Sequence, residues 1–322
     1  MSGKASLIAA SVALVLLTVV SGCGPSARVA LQFTPESTAS YEVTTEVTKD
    51  FRFEQPTMDK LREEQTKTLI RVGYTQTVTD VDDQGVANCA VTIDRLSVYM
   101  TNKNEERLVF DSANEADRGN PLMRLIGQRY TVRISPKGKV VGFDSQAAQK
   151  AVTAGFEGRL AERLVNEEGL RERHQIPALW GINGDSVAVK KSWRQVEPSP
   201  PGLLSPKSFE KVYTLKGIET QNGRNVAVIE MNAMESAEPA PDQGQISAAA
   251  GMGFFARMFD SQDDYTGKLL LDMENGDVLE YDETLISTYL AQEMPSNAPE
   301  GAAPDTLIMR FTHRISMKQL QP

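Results

Sequence analysis

Side chains able to do bond-making chemistry are scarce in this chain of 322 residues: it holds two histidines, His174 and His313, and two cysteines, Cys23 and Cys89. A zinc centre draws three or four ligands from Cys, His and carboxylates, and the sequence has no His-rich or thiolate pattern from which to build one. His313 falls in IMRFTHRIS on the side of Met309, Phe311 and Ile315, so it reads as a packed strand residue. The chain has no G-x-S-x-G nucleophile turn. It also lacks the G-x-x-x-x-G-K-[ST] phosphate loop and the G-x-G-x-x-G fingerprint. Acidic clusters remain, DVDDQG (80–85) and DSQDD (260–264), which could chelate calcium or supply paired carboxylates. The first starts like a calcium loop, but Val91 stands at the twelfth position where a bidentate Glu belongs, so it reads as a solvated turn. Trp180 and Trp193 could stack on a sugar, yet IPALWGINGDSV reads more simply as a loop closing over a core edge. No cofactor and no metal is expected.

Cys23 has a different setting. Lys4 precedes an apolar run from Leu7 to Val20, and Ser21 and Gly22 follow. That is the shape of a secretory leader, too short for a membrane-spanning helix and ended by Gly24, Pro25 and Ser26. The order Val20, Ser21, Gly22, Cys23 resembles the lipobox of bacterial lipoproteins, which implies diacylation of Cys23 and cleavage just before it. Acyl chains contribute about 0.8 kcal/mol per buried methylene, and two or three hold a protein stably on a bilayer. The implied address is the cell envelope, with the membrane as a partner through the N-terminal lipid. With Gly24 rather than Asp after the cysteine, the resemblance to lipoprotein sorting signals implies the outer membrane in a two-membrane cell. Cys89, alternating with Val91 and Ile93 in VANCAVTIDRL, then reads as a buried apolar residue without a disulfide partner.

Lys4 is the only charge in the leader, so its loss takes the formal charge from −9 to −10. An acidic chain does not track nucleic-acid phosphates, so a nucleic-acid partner is not expected. Apolar residues make up 40% of the chain, enough for a large core.

The elements that must position any site are mostly strands. Tyr41, Val43, Val47, Phe51 and Phe53 alternate with Glu42, Thr44, Glu46, Thr48 and Arg52, the period of a half-buried strand. The same pattern recurs along the chain, and DDQG, SPKGK, QNGR and ENGD place Gly where hairpins need positive φ. YTVRISPKGKVVGFD (130–144) and KLLLDMENGDVLEYD (268–282) align without a gap, which suggests two related halves. Between them, residues 145–172 carry Ala148, Val152, Phe156, Leu160 and Leu164 at every fourth position. This predicts one amphipathic helix, N-capped by Asp144 or Ser145 and packed on a sheet. ISAAAGMGFFARMF (246–259) reads either as a buried helix or as a mobile lid, with Met252, Phe254, Phe255, Met258 and Phe259 covering an apolar pocket.

At LMRLIGQRYTVRISPKGKVVGFD, on Leu125, Gly127, Tyr130, Val132, Ser135, Pro136, Gly138 and Val140, the chain resembles a family of uncharacterised bacterial secreted proteins, often lipoproteins, defined as a domain of unknown function. A Gly-Asp-Ser-aromatic segment of that family meets Gly184, Asp185, Ser186 and then Val187 here. The resemblance implies no activity. The architecture also looks like lipoprotein-carrier and mycobacterial lipid-carrier folds, which hold acyl chains inside an unclosed barrel.

The expected fold is α+β and mainly antiparallel β, with strongly twisted sheets or an open half-barrel in two related halves and a packed amphipathic helix. Residues 1–22 form the leader, 23–30 a lipidated tether and 31–144 the first β half. A helical connection at 145–175 leads to the second β half at 176–322. The expected role is non-enzymatic, binding a lipid-like apolar ligand or an envelope protein partner. The rival is an envelope hydrolase using acidic residues near 260–283.

Overall fold

The structure, a computed structural model, describes residues 25–184, 186–240, 258–296 and 299–320. In chain order the first strands are β1 (Ser26–Arg28), β2 (Thr38–Gln55), β3 (Lys60–Val81), β4 (Ala87–Asn102), β5 (Glu105–Asp111), β6 (Arg129–Ile134) and β7 (Val140–Asp144). Three helices follow, α1 (Gln146–Lys150), α2 (Phe156–Val165) and α3 (Glu167–His174). The remaining strands are β8 (Ser186–Ala188), β9 (Ser192–Pro198), β10 (Ser208–Gln221), β11 (Arg224–Ser236), β12 (Asp260–Asp272), β13 (Val278–Glu293) and β14 (Asp305–Leu320).

Twelve strands form one antiparallel sheet in the order β7-β6-β4-β3-β2-β14-β13-β12-β11-β10-β9, with β5 on β4. The chain builds outward from the middle: β2 and β14 pair at the centre, from Glu54↔Thr306 to Ser40↔Leu320. The sheet is strongly twisted and does not close into a barrel. Register shifts at Gly73/Tyr74, Val78/Asp80, Leu215/Gly217 and Leu270/Leu271 are bulges that add to this twist.

The period-two pattern decides which face is dry. Cys89, Val91 and Ile93 on β4, Tyr41 and Val43 on β2, and Leu269 and Leu271 on β12 are buried on the concave face. Thr44, Glu46 and Thr48 face the other way, where Arg314 of β14 pairs with Asp282 of β13 at 2.7 Å. The sheet thus has one main core and a mostly polar convex face, with a small apolar cluster of Val226, Val228, Leu270 and Leu279 on it. All four glycines expected at turns, Gly85, Gly138, Gly223 and Gly276, have positive φ. At two of them close packing matters as well. A Cβ on Gly138 would lie 2.9 Å from Ile176, and one on Gly276 would lie 2.3 Å from the Gln32 nitrogen.

The single helix expected over 145–172 is three short ones. Asp144 starts the first, its Oδ1 accepting from the Gln146 N–H at 3.1 Å. Gly155, at φ +107°, breaks the run before α2, and Asn166 caps α3 by accepting from Gly169 N–H at 2.9 Å. Two breaks rotate the stripe: Ala148, Leu160, Ala161, Val165 and Leu170 are buried, while Phe156 is exposed. Close approach holds the segment together, since a Cβ on Gly158 would meet the Thr153 carbonyl oxygen at 1.7 Å. At the other end of the chain, Ser26–Arg28 is not free tether. It pairs with β8, and Ala27, Val29, Ala30 and Leu31 are buried. Cys23, Met252, Phe254 and Phe255 lie outside the described residues.

Candidate functional site

α2 and α3 lie over the middle of the concave face and leave a cleft of about 510 Å³ beneath them. Its sheet wall is built by alternate residues of neighbouring strands: Val43, Thr45 and Val47 from β2, Thr66, Thr68, Ile70 and Val72 from β3, Met100 from β4 and His313 from β14. Leu160 and Leu164 of α2 face them. Two exposed cations, Lys49 and Arg163, and two exposed carboxylates, Glu168 and Glu172, line the same space. Volumes of 300–1,000 Å³ are typical of small-molecule pockets. A second hollow, about 640 Å³ at the far ends of β2, β3 and β14, is lined mainly by charges such as Asp50, Arg52, Glu63, Glu64 and Arg310.

Arg173 lines the cleft from α3 and is only 4% exposed. Its guanidinium donates to the Tyr130 hydroxyl at 3.1 Å and to the Leu164 carbonyl at 2.7 Å, both neutral acceptors. Among the described residues no carboxylate oxygen comes within 4.0 Å of it. Because Arg173 occupies the Tyr130 oxygen as a donor, the hydroxyl proton is free for His174 Nε2 at 2.9 Å. The imidazole can accept it because burial, and then the charge of Arg173, push the His174 pKa well below the usual value. Tyr74 closes this layer, edge-on to His174 with ring centres 4.9 Å apart. His313, as expected, is packed on its strand, stacked on Phe311; it also reaches within 3.7 Å of Glu172 across the cleft.

A second buried polar cluster sits under β9–β13. Lys211 of β10 donates to Glu197 Oε2 and Glu283 Oε2, each at 2.7 Å. Glu283 also accepts from Tyr265 at 3.0 Å, from Tyr213 at 3.4 Å and from Tyr281. Burial alone would raise the Glu283 pKa, but Lys211 and the tyrosine hydroxyls outweigh it and hold the carboxyl below its ordinary value. Burial alone would likewise lower Lys211, and Glu283 reverses that. Glu197 differs: burial raises its pKa despite Lys211, and its Oε1 is buried without a partner. Trp193 seals the cluster by stacking on Tyr213 and donating to the Ala178 carbonyl at 3.0 Å. That contact is the loop-over-core-edge arrangement expected of the segment around Trp180.

The acidic residues of 260–283 do not converge on one space. Asp263 is held by Lys207 at 2.7 Å and Ser287 at 2.6 Å, while Glu283 is held by Lys211. Asp282 faces the convex side on Arg314, and Asp272 caps the β12–β13 turn by accepting from Glu274 N–H at 2.9 Å. Among the described residues there is no group of three side chains placed to hold a metal. In the other acidic stretch, Asp82 accepts from the Gln84 and Val86 N–H groups, the solvated turn that its spacing suggested. Cys89 is fully buried and burial pushes its thiol up to about 12, which makes it a core residue. Of the expected lid, Met258 is exposed at the start of β12 and Phe259 meets the ring of Tyr289 edge-on at 6.5 Å. Sequence patterns pointed to neither Arg173 nor Tyr130 as a site residue. Their only sequence signal was a charged residue next to the histidine that ends a largely polar helix.

No family model matches the chain, and no curated protein matches it. Among solved structures it is similar to lipovitellin, in a structure concerned with lipid–protein interactions, at 8% identity and TM-score 0.42. That match covers 90% of this chain, which spans about a quarter of the lipovitellin chain, 26%. A DUF1329 family protein from Desulfovibrio piger matches at 10% identity and TM-score 0.15, covering 86% of this chain and 85% of its own. A LolA superfamily protein from Nitrosomonas europaea matches at 9% identity and TM-score 0.16, covering 91% of this chain and 90% of its own.

Proposed function

We propose that this chain is a lipid-anchored, non-enzymatic cell-envelope protein that holds an amphiphilic, lipid-like ligand in the cleft between α2–α3 and the concave face of the sheet. The observation that carries this reading is the cleft itself: about 510 Å³ walled by Val43, Val47, Ile70, Val72, Met100, Leu160 and Leu164. An apolar wall of this kind favours alkyl contact by roughly 25 cal/mol per Å² removed from water. Asp263, Asp272, Asp282 and Glu283, four carboxylates of the stretch a hydrolase would use, are engaged by a cation, a hydroxyl or a turn, which favours the binding role over the envelope-hydrolase rival.

Two features of the sequence complete the proposal. Acylation of Cys23 would anchor the chain, favouring the outer membrane, and the anchor would stand close to the body because Pro25 already accepts from Val189 N–H at 2.9 Å. The segment 246–259, with Met252, Phe254, Phe255, Met258 and Phe259, would act as a lid. Native mass spectrometry of the gently purified full-length Cys23→Ser chain is expected to show a co-purifying lipid, and Ile70→Asp with Val47→Asp to remove it. An unliganded wild-type chain that takes up no alkyl probe overturns the reading. Retention of full-length Cys23→Ser in the membrane fraction would overturn the anchor alone.

A further inference from the structure

We infer that Arg173 is the receptor for a single anionic headgroup, so that the cleft takes acidic amphiphiles in preference to neutral ones; this rests on the cleft being the binding site. A guanidinium has five N–H donors, and Arg173 uses two of them, on the Tyr130 hydroxyl and the Leu164 carbonyl. Both acceptors are neutral, so the full positive charge is buried without a counter-ion among the described residues. A buried charge in that state costs several kcal/mol unless something pairs with it. The cleft supplies a space into which a pairing group can come, since Arg173 lines it together with apolar side chains from both walls.

The other charges of the cleft do not remove this demand. Lys49, Arg163, Glu168 and Glu172 are exposed and balance one another in sign, and Glu172 is directed to His313 at 3.7 Å. His174, neutral beside Arg173, adds no competing charge. The remaining donors match a planar carboxylate or a phosphate oxygen pair, both of which guanidinium binds in bidentate fashion. An alkyl tail of such a molecule would run between Leu160 and Leu164 on one side and Val47, Ile70 and Met100 on the other.

Calorimetric titration of the full-length Cys23→Ser chain with dodecanoate, dodecyl phosphate and dodecanol tests this, because the three share one chain and differ in charge. Dodecanoate or dodecyl phosphate is expected to bind roughly tenfold or more tightly than dodecanol, and whichever is tighter tells a fatty acid from a phosphate-bearing lipid. Arg173→Gln is expected to erase that preference, bringing the affinities for the dodecyl anions down to that for dodecanol, and Arg173→Lys to keep part of it. Equal binding of dodecanol and dodecanoate by the wild-type chain overturns the role of Arg173 and leaves the cleft reading standing. Binding of none of the three overturns the cleft reading itself. An anion preference that survives Arg173→Gln moves the role to Lys49 or Arg163 and overturns the assignment. Acetate and inorganic phosphate binding as tightly as the dodecyl anions would overturn the amphiphile class.

Discussion

Two buried cations on one sheet face have opposite surroundings. Lys211 has two carboxylates at 2.7 Å, and three tyrosine hydroxyls complete Glu283. The hollow beside it has no space for a water molecule. Arg173 has a hydroxyl and a carbonyl for partners and about 510 Å³ in front of it. In the first arrangement the charges are paired internally, with one Glu197 oxygen left over, so it holds strands β9, β10, β12 and β13 in register and has no unpaired cation to offer a ligand. In the second the cation has no counter-ion among the described residues, so its remaining binding capacity faces the cleft. Burial of a charge therefore marks neither structure nor function; what separates the two is whether the partners are internal.

The sharpest way to break the comparison is to remove each cation. Lys211→Met leaves Glu283 and Glu197 buried without a counter-ion and is expected to lower unfolding free energy by about 3–5 kcal/mol. Arg173→Met removes a charge that had no counter-ion, and urea denaturation is expected to show less than half that loss. Equal losses would mean that the two sites do not differ in kind.

A smaller effect is expected from Gly158→Ala, which brings a Cβ to 1.7 Å from the Thr153 carbonyl oxygen. Displacing α2 is expected to cost about 1–3 kcal/mol in stability and to weaken alkyl binding, while the Lys211 cluster is unaffected. Thermal melts and dodecanoate titration read the two consequences separately.

The smallest effect lies within the Lys211 cluster and depends on pH. The Glu197 pKa is raised in the fold, so its ionisation works against folding: its contribution is favourable at low pH and is lost as pH rises through the folded value. Glu197→Gln is thus expected to stabilise by about 1 kcal/mol at pH 8, with the gain vanishing below the ordinary carboxylate value of 4.5. Glu283 has the opposite sign, being held below its ordinary 4.5, so its contribution is present above that value and is lost as pH falls through the lower folded pKa. Stability curves of wild type and Glu197→Gln from pH 3 to pH 8 should therefore converge at the acid end; curves that stay parallel would contradict the assignment.

Local pattern was enough for the strands, their dry face and their turns: Tyr41, Val43 and Val47 have polar residues on either side, and Gly138 and Gly276 stand where the backbone needs positive φ. It also marked Cys89 as core and Asp82 as a turn residue for the same reason. The apolar period of four from Ala148 to Leu164 passes over Gly155 and reads as one helix across 145–172, and only the contacts of Thr153 and Gly169 show the breaks. Which charges meet, by contrast, depends on how distant segments pack. Lys211 and Glu283 are 72 residues apart, and Arg173 and Tyr130 are 43 apart. No local pattern encodes either distance, because strand order and the crossing of the helices over the sheet bring those atoms together.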